Sequence, residues 1–203
     1  MKIVVMAGFL GSGKTSTLKN LIPLLQETDF DRIAVIINDF GEIGIDTSVV
    51  RRTGIDTVEL ISGCVCCQLG VDLLKTIKDI HKQYQPSTVI LEPSGVANPA
   101  SIKDVIRKLK DVPVDKVINL VLVDPIRFDL IVEIPIIEIG ISVADVLVIT
   151  KIDLVDDSTI HMLKNELRRF NKTAKILEIT NQEQSTLNSL IEVIKNECSQ
   201  FTP

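Results

Sequence analysis

The sequence predicts an α/β fold with three layers (α/β/α), in which helices cover both faces of a mainly parallel sheet. Apolar runs rich in β-branched residues alternate with helix-like segments along the whole chain, which is the order that parallel strands with helical crossovers require. Aromatic residues make up only 3% of the 203 residues, and there is no tryptophan. A core of Ile, Leu and Val suits strands that are buried on both faces.

The elements follow from the spacing of apolar residues. The predicted strands are Ile3–Ala7, Ile33–Ile37, Thr88–Leu91, Val117–Val123, Val146–Ile149 and Ile176–Ile179, with Val58–Ile61 as a further candidate. The predicted helices are Lys14–Leu25, Val71–Gln83, Ile102–Leu109, Thr159–Phe170 and Thr186–Lys195. Ligands of parallel sheets bind at the carboxyl ends of the strands, so the residues that follow each strand are the first candidates for function.

Composition excludes several classes of protein. We find no repeat, low-complexity tract or linker, and therefore predict a single domain over residues 1–203. The net charge is −5 without a basic stripe, which argues against a nucleic-acid partner. The apolar start of the chain leads into Gly-rich sequence, and Ile131–Val148 is interrupted by acidic residues. Neither segment predicts a signal peptide or a membrane span, so we expect a cytoplasmic protein that has no membrane partner.

Residues 8–15, Gly-Phe-Leu-Gly-Ser-Gly-Lys-Thr, match the phosphate-binding loop (P-loop) pattern in full. They follow a predicted strand and open a predicted helix, where backbone N–H groups and the helix N-terminus bind phosphate oxygens. Lys14 is expected to reach the β- and γ-phosphates as a catalytic residue, and Thr15 to hold Mg²⁺. The predicted nucleotide-binding residues of this loop are Gly11, Ser12, Gly13, Lys14, Thr15 and Ser16. The alternative is a Gly-rich turn that contains a lysine by chance.

An acidic residue follows the strand Thr88–Leu91. Glu92, in the segment Glu-Pro-Ser-Gly, would share the Mg²⁺ ion with Thr15, and Gly95 would offer its N–H to the γ-phosphate. The alternative is an ordinary polar turn, because Pro-Ser-Gly is favourable turn chemistry.

Base selection is predicted at Thr150-Lys151-Ile152-Asp153, after the strand Val146–Ile149. The Asp153 carboxylate can accept two hydrogen bonds from guanine, whereas adenine would leave it unpaired. Lys151 can lay its alkyl stem along the base. The alternative for Asp153 is a helix N-cap, since Asp153, Asp156 and Asp157 precede a helix.

Taken in order, the motifs resemble the CobW family of metal-handling P-loop GTPases, whose relatives include the hydrogenase and urease nickel-insertion GTPases. The segments that carry the resemblance are GFLGSGKTS, NDFGEIGID, SGCVCC, LEPSG with VANP, and VLVITKIDL. The resemblance implies a P-loop NTPase fold and GTP hydrolysis coupled to delivery of a metal or metallocofactor to a client. It also implies that NDFGEIGID is switch I and that the cysteine loop couples metal to nucleotide.

The sequence departs from the family pattern in two places. The usual guanine motif is Asn-Lys-x-Asp, and Thr150 stands in the place of Asn. We expect this change to weaken GTP binding without abolishing it, because a hydroxyl keeps only part of the amide's hydrogen bonding. Many members carry a further C-terminal domain, often with a His-rich segment. This chain stops at Pro203 and holds only His81 and His161, so we expect any function of that domain to be either absent or supplied by a partner.

Three of the four cysteines are Cys64, Cys66 and Cys67. Thiolates at this spacing suit a soft metal such as Zn²⁺, Cu⁺ or Co²⁺, and three ligands leave a coordination position open for onward transfer. Two alternatives remain: a redox-sensing vicinal disulfide, or small buried residues. Asp39 and Glu42 are candidate further ligands or solvated acids, and Asp39 is also a candidate catalytic residue that orients the attacking water.

Two other functions fit the same P-loop: a kinase for a small metabolite, and a regulatory nucleotide switch that barely hydrolyses. The few, scattered arginines count against a kinase lid. The Ile-rich segment Ile131–Ile141 is either an interface, consistent with a nucleotide-dependent homodimer, or a buried connection.

Overall fold

A computed structural model describes residues 1–26, 32–37, 56–59 and 69–199. The strands in this part of the chain are β1 (Lys2–Gly8), β2 (Ile33–Ile37), β3 (Asp56–Glu59), β4 (Thr88–Glu92), β5 (Lys116–Val123), β6 (Val146–Ile149) and β7 (Lys175–Glu178). They form one seven-stranded sheet in the order β3-β2-β4-β1-β5-β6-β7. Every neighbouring pair is parallel, which confirms the predicted fold class.

The helices between these strands are α1 (Lys14–Gln26), α2 (Leu69–Tyr84), α3 (Pro99–Ile106), α4 (Phe128–Ile131), α5 (Pro135–Ser142), α6 (Asp157–Phe170) and α7 (Gln184–Ser199). A short 3₁₀ helix spans Ile152–Leu154. None of the helices in the described ranges is long and apolar enough to cross a membrane.

The central strand β1 contributes alternate residues to two hydrophobic cores. Ile3, Val5 and Ala7 pack in one core with side chains of α2, α3, α5 and α6. Val4 and Met6 pack in the other with side chains of α1 and α7. Since successive strand residues point to opposite faces, the two cores lie on the two faces of the sheet and produce the three predicted layers.

The predicted boundaries are wrong by a few residues where capping decides them. The helix predicted at Ile102–Leu109 runs from Pro99 to Ile106. Its N-cap is Asn98, whose side-chain oxygen accepts a hydrogen bond from the Ala100 N–H at 2.9 Å, and Pro99 is favoured at the first helical position. The extra strand predicted at Val58–Ile61 is seen at Asp56–Glu59, and residues 60 and 61 lie outside the described ranges.

The Ile-rich segment predicted as an interface or a buried connection contains α5 and the end of α4. Its helices were not predicted, because its two polar side chains, Glu133 and Glu138, are five residues apart and this spacing does not mark a helical period. The segment is buried on one side only: Ile141 is fully buried, whereas Ile134 and Ile139 are 36% and 40% exposed.

Candidate nucleotide-binding site

The P-loop joins the carboxyl end of β1 to the start of α1, at the centre of the sheet. Gly11 and Gly13 have φ angles of +78° and +89°, values that L-residues with side chains rarely adopt. A side chain at Gly11 would also meet the Arg127 guanidinium, whose Nη1 lies 2.8 Å from the position of a Cβ atom. The two glycines therefore allow the loop to curl ahead of the helix N-terminus, as phosphate binding requires.

Lys14 is a buried cation that contacts the loop itself. Its ammonium donates hydrogen bonds to the carbonyl oxygens of Gly8 at 2.9 Å and Phe9 at 3.1 Å. Burial lowers the pKa of Lys14 below its ordinary 10.5, while the nearby Glu92 carboxylate acts in the opposite direction. A buried ammonium held largely by neutral carbonyl groups can gain energy from an anion such as phosphate.

Thr15 and Glu92 meet beside this lysine. The Thr15 hydroxyl donates to Glu92 Oε1 at 2.5 Å, and Glu92 is only 4% exposed at the end of β4. A hydroxyl and a carboxylate are the hard oxygen donors that Mg²⁺ prefers. The structure therefore brings together the two predicted Mg²⁺ ligands, and their chemistry fits that ion.

Gly95 lies against the P-loop. A Cβ atom at this position would fall 2.9 Å from the backbone nitrogen of Leu10 and 2.7 Å from Leu10 Cδ2. A glycine is thus required for the loop after β4 to approach the P-loop so closely. This contact places the backbone of Gly95 beside the P-loop.

Thr150 and Lys151, which follow β6, bind two successive carbonyl groups of the P-loop. The Thr150 hydroxyl lies 3.0 Å from the Ser12 carbonyl oxygen and 3.2 Å from that of Val123. The Lys151 ammonium donates to the Gly11 carbonyl oxygen at 2.8 Å. The segment predicted to recognise the base is therefore hydrogen-bonded directly to the segment predicted to bind phosphate.

Asp153 lies in the 3₁₀ helix and is exposed. It is not the N-cap of the following helix. That position belongs to Asp156, whose Oδ1 accepts a hydrogen bond from the Thr159 N–H at 2.8 Å. These hydrogen bonds to Thr159 hold the pKa of Asp156 below its ordinary value. The helix-cap alternative for Asp153 is thus wrong.

Two residues near this site were not predicted. Asp124 directly follows β5 and is 3% exposed, and its Oδ2 accepts a hydrogen bond from Lys151 Nζ at 2.7 Å. Arg127, in the same loop, places its guanidinium beside Gly11. The position of Asp124 after a strand was a usable signal, but no motif singles it out.

Other predicted residues lie outside the described ranges. They are Asp39 and Glu42 in the predicted switch I, and Cys64, Cys66 and Cys67 in the cysteine loop. Ser16 is described, and it is exposed in the first turn of α1. The described residues contain no group of three or more His, Cys, Asp or Glu side chains placed to hold a metal ion.

A family model described as CobW/HypB/UreG, nucleotide-binding domain, matches residues 2–178. The chain belongs to this family. Among the curated members it is 32% identical to the zinc chaperone CobW of Sinorhizobium sp., over 88% of this chain and 59% of that protein. It is 27% identical to the zinc-regulated GTPase metalloprotein activator 1 of Schizosaccharomyces pombe, over 94% of this chain and 48% of that protein.

The fold of this CobW/HypB/UreG-family chain is also that of a solved relative. The hydrogenase maturation factor HypB from Archaeoglobus fulgidus superposes with a TM-score of 0.69 at 21% identity, covering 98% of this chain and 91% of that one. By contrast, the chain spans about half to three-fifths of the length of the two curated relatives.

Proposed function

We propose that the protein binds and hydrolyses GTP and couples its nucleotide state to the binding and delivery of a metal ion or metallocofactor. The observation that carries this proposal is the contact between the Lys151 ammonium and the Gly11 carbonyl oxygen at 2.8 Å, which joins residues 140 positions apart. This contact supports a single site in which the P-loop would bind the phosphates and residues 150–153 would bind the base.

At the base end, the exposed Asp153 accepts hydrogen bonds from the N1–H and amino groups of guanine. Adenine has an acceptor at N1 and no amino group there, so binding ATP would leave this carboxylate unpaired at the cost of affinity. The alkyl stem of Lys151 packs along the base, because its ammonium is fixed on the P-loop.

At the phosphate end, Lys14 and the N–H groups of residues 11–16 hold the β- and γ-phosphates. When bound, Mg²⁺ neutralises charge on the phosphate oxygens, and Thr15 and Glu92 would hold it through their oxygen atoms. Gly95 donates its N–H to the γ-phosphate, and Asp39 orients the attacking water. The role of Asp39 rests on its position in the sequence, two residues after the end of β2.

The cargo is a soft divalent metal, for which Zn²⁺ and Co²⁺ are the best candidates. Three thiols in Cys-Val-Cys-Cys at residues 64–67 are suitable ligands that leave one position open for transfer. The name of the Sinorhizobium relative, zinc chaperone CobW, supports a metal-delivery role. The recipient would be a client metalloprotein or an enzyme with a metallocofactor.

We also propose a homodimer that depends on bound nucleotide. Leu10 in the P-loop and Val96 beside Gly95 are 54% and 53% exposed, which is unusual for apolar side chains at a site that must exclude water. A second copy of the chain would cover them once nucleotide is bound. Light scattering should show a higher mass with a non-hydrolysable GTP analogue than with GDP; equal masses would contradict this part of the proposal.

The central test measures phosphate release from GTP and ATP by the reduced protein, with Mg²⁺ and with or without Zn²⁺. We expect GTP turnover that requires Mg²⁺ and responds to Zn²⁺, and little turnover of ATP. Lys14→Ala should remove most GTP affinity, because it deletes the cation that faces the phosphates.

The matched control is Lys19→Ala, which makes the same charge change at an exposed position of the same helix. Unchanged GTP binding by a folded Lys14→Ala protein would rule out the proposed site. Phosphoryl transfer to added metabolites in place of hydrolysis would identify a kinase instead.

A further inference from the structure

Asp124 is a buried acidic residue for which the proposed chemistry has no use. It is 3% exposed at the end of β5, and a carboxylate removed from water is costly unless each oxygen is paired. Its Oδ1 accepts a hydrogen bond from the Ile126 N–H at 2.9 Å. Its Oδ2 accepts one from the Lys151 ammonium at 2.7 Å. The first contact fixes the carboxylate in its turn, so that the second can hold the lysine.

Lys151 needs such a partner. Its backbone is left-handed, with φ 54° and ψ 36°, a conformation that residues other than glycine adopt at a cost. Its long side chain is 32% exposed and would sample many rotamers if nothing held its end. The ammonium instead lies between the Gly11 carbonyl oxygen and Asp124. With both ends fixed, the alkyl stem is already held in place before a ligand arrives.

We propose that Asp124 is a positioning residue for recognition of the nucleotide base, acting through Lys151. The inference rests on the proposed function, because it assumes that the base packs on the Lys151 stem. By holding the ammonium on the P-loop, Asp124 removes the conformational entropy that binding would otherwise have to overcome. GDP and GTP should benefit equally, since both carry the same base, whereas a ligand without a base should not benefit.

The test compares wild type with Asp124→Asn, using calorimetry with GDP and with inorganic tripolyphosphate, together with steady-state GTP hydrolysis. Asn can still accept a hydrogen bond from the Ile126 N–H through Oδ1. Its N–H₂ group then faces the Lys151 ammonium, and the two groups cannot bond because both are hydrogen-bond donors. We expect GDP affinity to fall about tenfold, as for loss of a hydrogen bond between charged groups. KM for GTP should rise by a similar factor with kcat unchanged, and tripolyphosphate affinity should stay the same.

Asp129→Asn is the matched control, because the charge change is identical and Asp129 is an exposed acid in α4, the helix that follows Asp124. It should leave all three measurements unchanged. Lys151→Met, which keeps an unbranched side chain but removes the ammonium, should reproduce the selective loss of GDP affinity. Adding Asp124→Asn to Lys151→Met should weaken GDP binding no further, because the group that Asp124 holds is already gone.

Several outcomes would overturn the inference. Equal GDP affinity in wild type and Asp124→Asn would overturn the inference and leave the proposed function intact. Equal losses of GDP affinity and tripolyphosphate affinity would have the same consequence, because they would indicate a general structural role for Asp124. If Asp124→Asn does not fold, Lys151→Met decides: wild-type GDP affinity in that variant means there is nothing for Asp124 to position. A wild-type protein that binds no guanine nucleotide would overturn this inference and the proposed function together.

Discussion

The side-chain hydroxyl of Thr150 lies 3.0 Å from the main-chain carbonyl oxygen of Ser12, and it joins two residues that are 138 positions apart. Both residues are 2% exposed. Thr150 stands where the guanine motif of the resembling family carries Asn, and its hydroxyl is hydrogen-bonded to the P-loop. It keeps the hydrogen bond to the P-loop even though it cannot supply the remaining contacts of an amide.

Replacing Thr150 with Val should therefore weaken the site. The change keeps the shape of the side chain but removes the donor, so the Ser12 carbonyl loses its side-chain partner. We expect a loss of about 1 kcal/mol in the free energy of unfolding and about fivefold in GTP affinity. Urea denaturation and calorimetry measure the two quantities.

Thr17→Val provides the matched control for this prediction. Thr17 is fully buried in the first turn of α1, and its hydroxyl makes no hydrogen bond with any of the described residues. Removing an unsatisfied buried hydroxyl should be neutral or slightly stabilising. If the two Val variants lose equal stability, the Thr150 hydroxyl bond to the P-loop contributes nothing of its own.

Asp153→Asn should change the base preference of the protein. In the proposed mode of binding the carboxylate accepts two hydrogen bonds from guanine, whereas an amide can donate one to the extra carbonyl group of xanthine. The ratio of GTP to XTP affinity should fall by at least about tenfold, equivalent to about 1.4 kcal/mol. Competition binding with the two nucleotides measures this ratio.

Asp156→Ala separates base recognition from helix capping. Asp156 is the N-cap of α6, so its removal should lower the melting temperature by a few degrees without altering the ratio of GTP to XTP affinity. Asp153→Asn should instead change the ratio of GTP to XTP affinity and leave the melting temperature unaltered. An unchanged base preference in Asp153→Asn would refute the proposed role of that carboxylate.

Cys66→Ser should abolish tight metal binding but leave GTP binding intact. The reduced wild type should bind about one Co²⁺ or Zn²⁺ per chain, with intense thiolate-to-Co²⁺ absorption and release of protons as the thiols ionise. GTP and metal should change each other's affinity by the same factor, as linkage requires. Cobalt titrations with and without GTP measure these effects.

Cys198→Ser is the control for a cysteine outside the cluster, and it should bind metal like the wild type. Absence of Co²⁺ and Zn²⁺ binding by the reduced wild type, with and without GTP, would contradict the metal proposal. Counting free thiols after mild oxidation would then test the vicinal-disulfide alternative.

The stability of the protein should depend on pH through Glu197 near the end of α7. Hydrogen bonds from the ammonium groups of Lys175, which has the larger effect, and Lys116 hold the pKa of Glu197 below its ordinary 4.5. The partial burial of Glu197 acts in the opposite direction. Because the folded state favours the charged form, the stabilisation is full above about pH 4.5. This stabilisation is lost as the pH falls through the lower pKa that Glu197 has in the folded state.

Glu197→Gln should accordingly reduce the free energy of unfolding by about 1 kcal/mol at neutral pH, a modest value because the partner lysines are partly exposed. The difference from wild type should vanish in acid. Glu192→Gln is the control on the same helix, since Glu192 is 64% exposed and pairs with Lys195 at 3.6 Å. A Glu197→Gln deficit that persists unchanged in acid would contradict the ionic explanation.

The sequence predicted the parallel α/β fold and the P-loop because both depend on local patterns. Apolar runs such as Ile33–Ile37 indicate strands that are buried on both faces of a sheet. The Gly-rich loop before Lys14 indicates a backbone conformation that few other sequences adopt. Helix starts were less accurate. Asn98 and Asp156 determine them by single hydrogen bonds, which many Asn and Asp residues in the chain are equally able to make.

The sequence by itself thus determined the order of the strands along the chain, the phosphate-binding motif and the polar residues that follow each strand. Only the tertiary structure decided which of those residues meet. The pairing of Asp124 with Lys151, and the attachment of residues 150 and 151 to Gly11 and Ser12, depend on β1, β5 and β6 being neighbours in the sheet. Sheet order is fixed by packing between segments distant in sequence, and the residues that meet at the strand ends carry no local signal of their partners.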